Sequence, residues 1–278
     1  MTPSTYFFKD VSLLITHYNR SHSLQNLLES LIGLSCSFEQ IVVSDDGSQP
    51  QHLQKLEELS HQYGFLLVKA PVNKGLGHNI NKGQNAIKTE LTLYVQEDFV
   101  PTPLFPSKFQ VALQLLHARP DIDMVRFYAY FEYPYLTPIR DGYYEMKFNI
   151  WKPGFRKFYV YSDHPHLRRS NFLKKFGSYR EGIKGDNTEY GMMMSFLKNQ
   201  GKALYYKGYT QLFEQRNSMH EPSTMHRNIL RESNNYFIRN CRYLYRHIKF
   251  NYDYYFKPNP VRSPSREGSK DDSLGSGV

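Results

Sequence analysis

Acidic residues follow apolar runs at several points in this chain of 278 residues. Ile41–Ser44 runs into Asp45-Asp46-Gly47, and Leu91–Val95 runs into Gln96-Glu97-Asp98. A further acidic cluster, Asp186-Asn187-Thr188-Glu189, stands at the start of a helical pattern. Carboxylates so placed can accept a proton, accept a hydrogen bond or offer a hard oxygen to a divalent cation. The first apolar run, Val11–Thr16, leads into Thr16-His17-Tyr18-Asn19-Arg20, where Tyr18 can present a ring to a base and Arg20 a rigid fork to a phosphate. Between the acidic runs lies Asn73-Lys74-Gly75, continuing to Asn81-Lys82-Gly83. Gly75 and Gly77 permit close backbone approach or positive φ. Amides at the start of a helix there attract an anion, and Lys74 adds charge near a diphosphate. The Gly-Lys-Ser/Thr ending of a P-loop is absent. Each cluster also has a local reading. Asp46-Gly47 can be a turn with Ser48 as a helix cap, Asn19 or Ser21 can cap the first helix, and Asp186 can cap the helix it precedes.

These residues need elements that bring them together. Continuous apolar runs of strand length fit strands buried on both faces. They occur at Val11–Thr16, Ile41–Ser44, Phe65–Val68 and Leu91–Val95. Helical patterns separate them, from Ser21 to about Ile32, Gln51 to Tyr63, and through the glycine-rich segment to Lys88. Strand alternating with helix over short connections predicts an α/β fold with a mostly parallel sheet flanked by helices. Ligands of such sheets bind beyond the C-terminal ends of the strands, where these polar clusters fall. The first ten residues read as a lead-in. Beyond Pro101 the pattern predicts a helix over Pro103–His117, a strand over Met124–Tyr130, a helix over Asn187–Gln200 with Met192, Met193 and Met194 in its core, and a long helical stretch from Ser223 to Phe250. Residues 131–170 are rich in Tyr, Phe, Pro and Arg and have no legible order. The division expected is 1–100 for nucleotide binding, 101–222 for the acceptor side and base, 223–257 for a basic aromatic helical segment, and a disordered tail over 258–278.

Hydrophobic residues at 40% and charged residues at 22% are those of an ordinary globular protein. Aromatics reach 15%, with 23 tyrosines, whose rings and hydroxyls suit sugar and base contacts. Two distant cysteines, Cys36 and Cys241, make neither a disulfide framework nor a metal motif and fit a reducing compartment. No stretch reads as a signal peptide or a membrane span, so the expectation is a cytoplasmic protein, soluble or peripheral on the membrane. The net charge of +9 suits phosphate-bearing substrates or an anionic membrane. Arg227, Arg231, Arg239, Arg242, Arg246, His247 and Lys249, set among Tyr and Phe, fit a membrane surface or a solvated basic helix, and no nucleic-acid motif accompanies them.

Taken in order, VSLLITHYNR, IVVSDDGS, NKGLGHNINKGQNAI and LYVQEDFVP resemble the front half of the family-2 glycosyltransferases with the GT-A fold. Fainter likeness continues to EGIKGDNTEYGMMM. The resemblance implies an inverting enzyme that moves a sugar from a nucleoside diphosphate, UDP by expectation, to a hydroxyl of a glycan or lipid-linked acceptor. It implies that Thr16, Tyr18, Asn19 and either Asp45 or Asp46 hold the nucleoside, with Arg20, Lys74, Gly75 and Asn81 toward the diphosphate. Gln96-Glu97-Asp98 stands where the family carries Asp-x-Asp, so Asp98 is the expected ligand of Mg2+ or Mn2+, and Gln96 replaces the first acid. His220 is a further possible ligand. The family's Glu-Asp-x-Glu pattern, aligned on Glu189, places Asn187 on the usual Asp. The base is then Asp186, with Glu189 as the alternative. His164, His166 and Trp151 are aromatics that can stack on an acceptor sugar. Two other classes compete. Gln96 and Asn187 suit a degraded relative that only binds. A nucleotidyltransferase needs a glycine-rich loop after the first strand, and THYNRSHS has none.

Overall fold

The structure, a computed structural model, describes residues 5–216 and 236–259. Its front part is β1 (Tyr6–His17), α1 (Ser21–Gly33), β2 (Cys36–Asp45), α2 (Pro50–Tyr63), β3 (Leu66–Lys69), α3 (Leu76–Asn85) and β4 (Leu91–Gln96). Then follow β5 (Phe99–Pro101), α4 (Phe105–Ala118), β6 (Met124–Arg126), β7 (Leu136–Arg140), β8 (Tyr143–Met146) and a 3-10 turn over Phe155–Phe158. The last part is β9 (His166–Arg169), α5 (Phe172–Phe176), α6 (Gly185–Lys198), β10 (Ala203–Tyr206), β11 (Phe213–Gln215) and α7 (Tyr236–Phe256). Nine strands form one sheet in the order β3-β2-β1-β4-β9-β6-β10-β8-β7, and β5 pairs with β11 in a separate ribbon.

The expected α/β architecture is present, and each apolar run forms its strand. Period-two alternation distributes β1 between two cores. Val11, Leu13 and Ile15 join Leu24, Leu27, Leu28 and Leu31 of α1 on one face, while Leu14 meets Ile80 of α3 and the methionines of α6 on the other. Met192, Met193 and Met194 are buried, as expected of core positions, in a run from Gly191 to Leu197 that is buried nearly all round the helix. Several boundaries differ from the sequence reading. β1 begins at Tyr6, so most of the supposed lead-in is strand, and Phe8 is buried against Phe38 and Phe109. The strand at Met124 stops at Arg126, where the backbone of Phe127 turns to bond Pro165. Ser21 does not cap α1; its hydroxyl meets His52 Nδ1 at 2.9 Å. Ser48 does not cap α2 either, because its hydroxyl bonds Asp45. Asp186 lies within the first turn of α6 and makes no side-chain cap.

Register explains the placement of the site. β1 pairs in parallel with β2 and β4, so His17 lies beside Asp45 and Thr16 beside Gln96. Three polar strand ends therefore reach one edge of the sheet at one level. β9 runs antiparallel to β4 and β6, with His166 opposite both Tyr94 and Arg126. Its N-terminal end enters at that same edge and brings Ser162–His164 with it. This strand comes from the segment that sequence periodicity left unordered.

α3 packs closely against the chain that leads into α6. A Cβ on Gly77 would lie 2.1 Å from the Arg180 carbonyl oxygen, too near for any side chain to fit without moving backbone. Gly77→Ala is therefore expected to lower stability by about 1–3 kcal/mol, the usual cost of overpacking. Urea denaturation of the two proteins measures it, and an unchanged midpoint would show that this contact yields freely.

Candidate active site

A cavity of about 510 Å³ opens at the common strand edge. Its walls include Thr16, Tyr18, Arg20, Asp46, Gly75, Gln96, Glu97 and Asp98 from the front half. Tyr130, Asp163, His164, Asp186, Glu189 and Gln215 line the opposite side. Two sequence-separated acidic clusters thus share one space.

The two aspartates after β2 have different tasks. Asp45 is fully buried. It bonds His17 Nδ1 at 2.8 Å, the Ser48 hydroxyl at 2.5 Å, and the amides of Gly47 and Ser48. Because His17 Nε2 accepts from the Arg20 amide, the ring proton sits on Nδ1 and is donated to Asp45. Burial pushes the Asp45 carboxyl up, but the His17 and Ser48 hydrogen bonds outweigh it and hold the group below the usual range. Asp45 does not line the cavity; it shapes the turn. Asp46 does line it, and accepts from the backbone amides of Lys74 and Gly75 at 3.1 and 2.7 Å. Those amides at the entrance to α3 are thus engaged by a protein carboxylate, not turned to a phosphate. Lys82, unremarked in the sequence, donates to the carbonyls of Asp45 and Val68 and ties α3 to the ends of β2 and β3.

Three other expected residues lie outside the cavity wall. Asn19 has φ 54° and exchanges hydrogen bonds with Ser48 and Gln49, which fixes the turn before α1. The Lys74 side chain is exposed. Asn81 is buried and bonds the backbone of Tyr179 on both sides, so it anchors the chain after α5. Short polar side chains in loops close turns as readily as they meet ligands. Asn19 follows that pattern, whereas Asn81 is taken up by a contact across the domain and Lys74 faces solvent.

Arg20 is buried at the cavity floor, with Nη1 3.5 Å from Glu97 and 3.3 Å from Asp98. Asp98 also accepts from Gln215 Nε2 at 2.9 Å, and its carbonyl accepts from the Arg216 amide. The β5–β11 ribbon thereby braces this acid. Asp98 Oδ1 is buried with no hydrogen-bond partner. Such an oxygen fits a Mg2+ or Mn2+ ion whose other ligands come from a substrate diphosphate and water. Among the described residues, no three His, Cys, Asp or Glu side chains are arranged to hold a metal ion. His220 lies outside the described residues. Gln96 lines the cavity and donates to the Asp163 carbonyl at 3.3 Å.

On the far wall, Asp186 and Glu189 both reach the cavity from α6, while Asn187 is exposed and does not. Asp163, which periodicity gave no reason to single out, hydrogen-bonds Glu189. Two carboxyls bond each other only through a proton. Burial first, then the Glu189 charge and hydrogen bond, raises Asp163 well above the carboxylate range, so the pair holds a shared proton. Burial raises Glu189 as well, opposed by the charge of buried Arg126 and the bond from Asp163. His164 edges against Tyr130 at 4.6 Å between centroids. Burial and Arg126 push its imidazole down to about 3. Both residues line the cavity, together with Tyr18, Phe131, Tyr133 and Tyr159. His166 is fully buried within strand β9, and Trp151 lies on an exposed loop outside the cavity lining, so neither can stack there.

Asp163 gives a pH signature. A carboxyl raised by folding stabilises below its unfolded value, about 3.9, and that contribution disappears as pH rises through the folded value. Asp163→Asn keeps a hydrogen-bond donor toward Glu189 without needing the proton. Its melting temperature should match that of the unaltered protein near pH 4 and exceed it increasingly toward alkaline pH. A difference that shrinks with rising pH would contradict the shared proton.

A family model described as Glycosyl transferase family 2 matches residues 12–181. The chain is 25% identical over 126 residues to a cholesterol galactosyltransferase of Borreliella burgdorferi, covering 44% of this chain and 33% of the relative. It is 27% identical over 90 residues to a poly-beta-1,6-N-acetyl-D-glucosamine synthase of Staphylococcus epidermidis, covering 32% and 22%. The match thus spans a third or less of these relatives. In fold, the chain is similar to S. aureus TarS 1–349 in complex with UDP-GlcNAc, at TM-score 0.59 and 16% identity over 87% of this chain and 74% of the other. It is also similar to the mannosyltransferase PcManGT of Pyrobaculum calidifontis in complex with GDP-Man and Mn2+, at TM-score 0.54 and 12% identity, covering 90% and 66%. The fold is GT-A.

Proposed function

The chain belongs to glycosyl transferase family 2; from that premise we propose that it is a glycosyltransferase that moves a sugar from a UDP-sugar to a hydroxyl of a glycan or lipid-linked acceptor, with inversion. The observation that carries this reading is the single cavity into which the strand-end residues Thr16, Tyr18, Asp46 and Asp98 and the α6 acids Asp186 and Glu189 all project. The complex of TarS with UDP-GlcNAc supports UDP as the carrier.

Asp46, rather than Asp45, faces the base, with Tyr18 beside it. Gln96 and Asp98 face the ribose and diphosphate. Asp98 Oδ1 is the protein oxygen offered to a divalent cation, and PcManGT with its Mn2+ supports the same use here. When bound, such an ion neutralises charge on the departing diphosphate. Arg20 holds Asp98 and Glu97 in place and adds positive charge at the same point. Asp186 takes the proton of the acceptor hydroxyl as that oxygen attacks the anomeric carbon and the diphosphate leaves from the opposite side. Glu189 is already engaged by Asp163 and Ser162, which fixes α6 against the chain before β9. Tyr130 and His164 offer ring faces to the acceptor. Of the two residues that suit a protein that only binds, Asn187 lies outside the cavity, while Gln96 lines it.

Slow hydrolysis of UDP-sugars in Mn2+ tests the donor half without knowledge of the acceptor. Turnover of at least one UDP-sugar is expected, and binding without turnover of any would support the binding-only alternative. With an acceptor in hand, Asp186→Asn should lower kcat by about 10²–10⁴-fold, the usual contribution of a general base. Glu189→Gln should cost less. The reverse ranking would transfer the role of base to Glu189.

A further inference from the structure

The far wall of the cavity carries more buried charge than its packing requires. Arg126, Asp163 and Glu189 all line it, with Arg126 only 4% exposed and Asp163 8%. Arg126 is held from behind, where Nη1 donates to the Tyr159 carbonyl at 2.6 Å and Nη2 to the Tyr128 carbonyl at 3.3 Å. Its charge acts on Glu189. Ions taken out of water cost free energy, and apolar side chains of similar size often hold a core as well or better. Polar groups kept in the wall of a cavity are those that orient a ligand.

The two carboxyls differ in what they have left to offer. Glu189 takes the Asp163 amide, the Ser162 hydroxyl and the proton it shares with Asp163. Among the described residues, the Asp163 carboxyl has Glu189 and its own amide as partners. A carboxyl has about four lone-pair sites, so Asp163 keeps acceptor capacity toward the cavity. The pair with its single proton carries one negative charge and Arg126 one positive. Together they are neutral, which suits an uncharged polar group better than a second cation.

Position selects that group. The Asp163 carbonyl accepts from Gln96 at 3.3 Å, which sets the residue beside the diphosphate end of the cavity. Its carboxyl reaches Glu189, one turn along α6 from Asp186. The sugar in transit spans the same interval, since its anomeric carbon is joined to the diphosphate and must lie open to the hydroxyl that Asp186 deprotonates. A diphosphate has no hydrogen to give a carboxylate, whereas a sugar hydroxyl has one. We propose that Asp163 accepts a hydrogen bond from a hydroxyl of the donor sugar and thereby selects among nucleotide-sugars. Glu189 and Arg126 are the positioning residues that hold it there. This role rests on the glycosyltransferase reading and deepens it. The donor is a sugar with a free hydroxyl toward this wall, and one lacking that hydroxyl is refused, because it leaves a buried acceptor unpaired.

The test is calorimetric titration of the full chain, in Mn2+, with UDP and with UDP-glucose, UDP-galactose, UDP-N-acetylglucosamine and UDP-N-acetylgalactosamine. For whichever of these sugars binds most tightly, Asp163→Ala is expected to lower affinity by about 10–100-fold, the usual effect of losing a hydrogen bond to a charged group, while UDP affinity changes by less than about twofold. Asp163→Asn keeps a bond to Glu189 and should show a smaller loss of the same kind, which preserves the test if the alanine variant does not fold. Monodeoxy analogues of the same sugar locate the hydroxyl. One of them should bind weakly to the unaltered protein and lose nothing further in Asp163→Ala. Equal losses for UDP and UDP-sugar, or no loss for either, would overturn the role of Asp163 while leaving the nucleotide site intact. Failure of the unaltered chain to bind UDP at all would overturn the UDP reading, and this role with it.

Discussion

Parallel strands end at one level, and in this sheet those ends carry acids. Asp45, Asp46, Glu97 and Asp98 converge there because β1 registers with β2 and β4, and the antiparallel β9 adds Asp163 from the other direction. Such a concentration of negative charge out of water is tolerable only if each member is compensated. Every one has its own solution. Asp45 takes His17, Ser48 and two amides; Asp46 takes the amides before α3; Glu97 and Asp98 share Arg20; Asp163 shares a proton with Glu189. The solutions link elements distant in sequence, so the electrostatics of the edge and the packing of the domain are one problem.

Compensation also sorts the acids by task. Asp45 spends its lone pairs on the turn and has none directed at the cavity. Asp46 reaches the cavity while anchored from behind. Asp98 is braced on one oxygen by Arg20 and Gln215, and its other oxygen has no hydrogen-bond partner. The proposed division of labour follows from this: a base contact at Asp46, diphosphate chemistry at Asp98, proton removal from the acceptor at Asp186, and a rigid hydrogen-bonded support at Glu189.

Much of this was legible in the sequence. The strand–helix alternation of the front half is local and strongly periodic, and the structure follows it closely. Thr16, Tyr18, Arg20, Gly75, Gln96, Glu97, Asp98, Asp186 and Glu189 were all singled out and all line the cavity. Adjacent Asp45 and Asp46 could not be separated, because the answer depends on a histidine 28 residues away. Asn19, Lys74 and Asn81 matched a pattern by type and spacing, yet Asn19 holds a turn, Lys74 faces solvent and Asn81 is buried on the Tyr179 backbone. Asp163, Arg126 and Gln215 were missed for a different reason. They reach the cavity through β9, β6 and β11, short strands whose order in the sheet departs from their order in the chain, and no local period announces that. One weak signal existed: Asp163 sits in a polar Ser-Asp-His stretch between the apolar Val160-Tyr161 and the start of β9.

The central claim is that this one edge holds the whole nucleotide-sugar. A crystal structure with UDP and Mn2+ tests it most directly. The account predicts the uracil against Tyr18 and Asp46, the diphosphate over Gln96–Asp98 with the ion on Asp98 Oδ1, and Asp186 facing the open space beyond the diphosphate. A nucleotide seated away from the ends of β1, β2 and β4, or an ion held without Asp98, would contradict it.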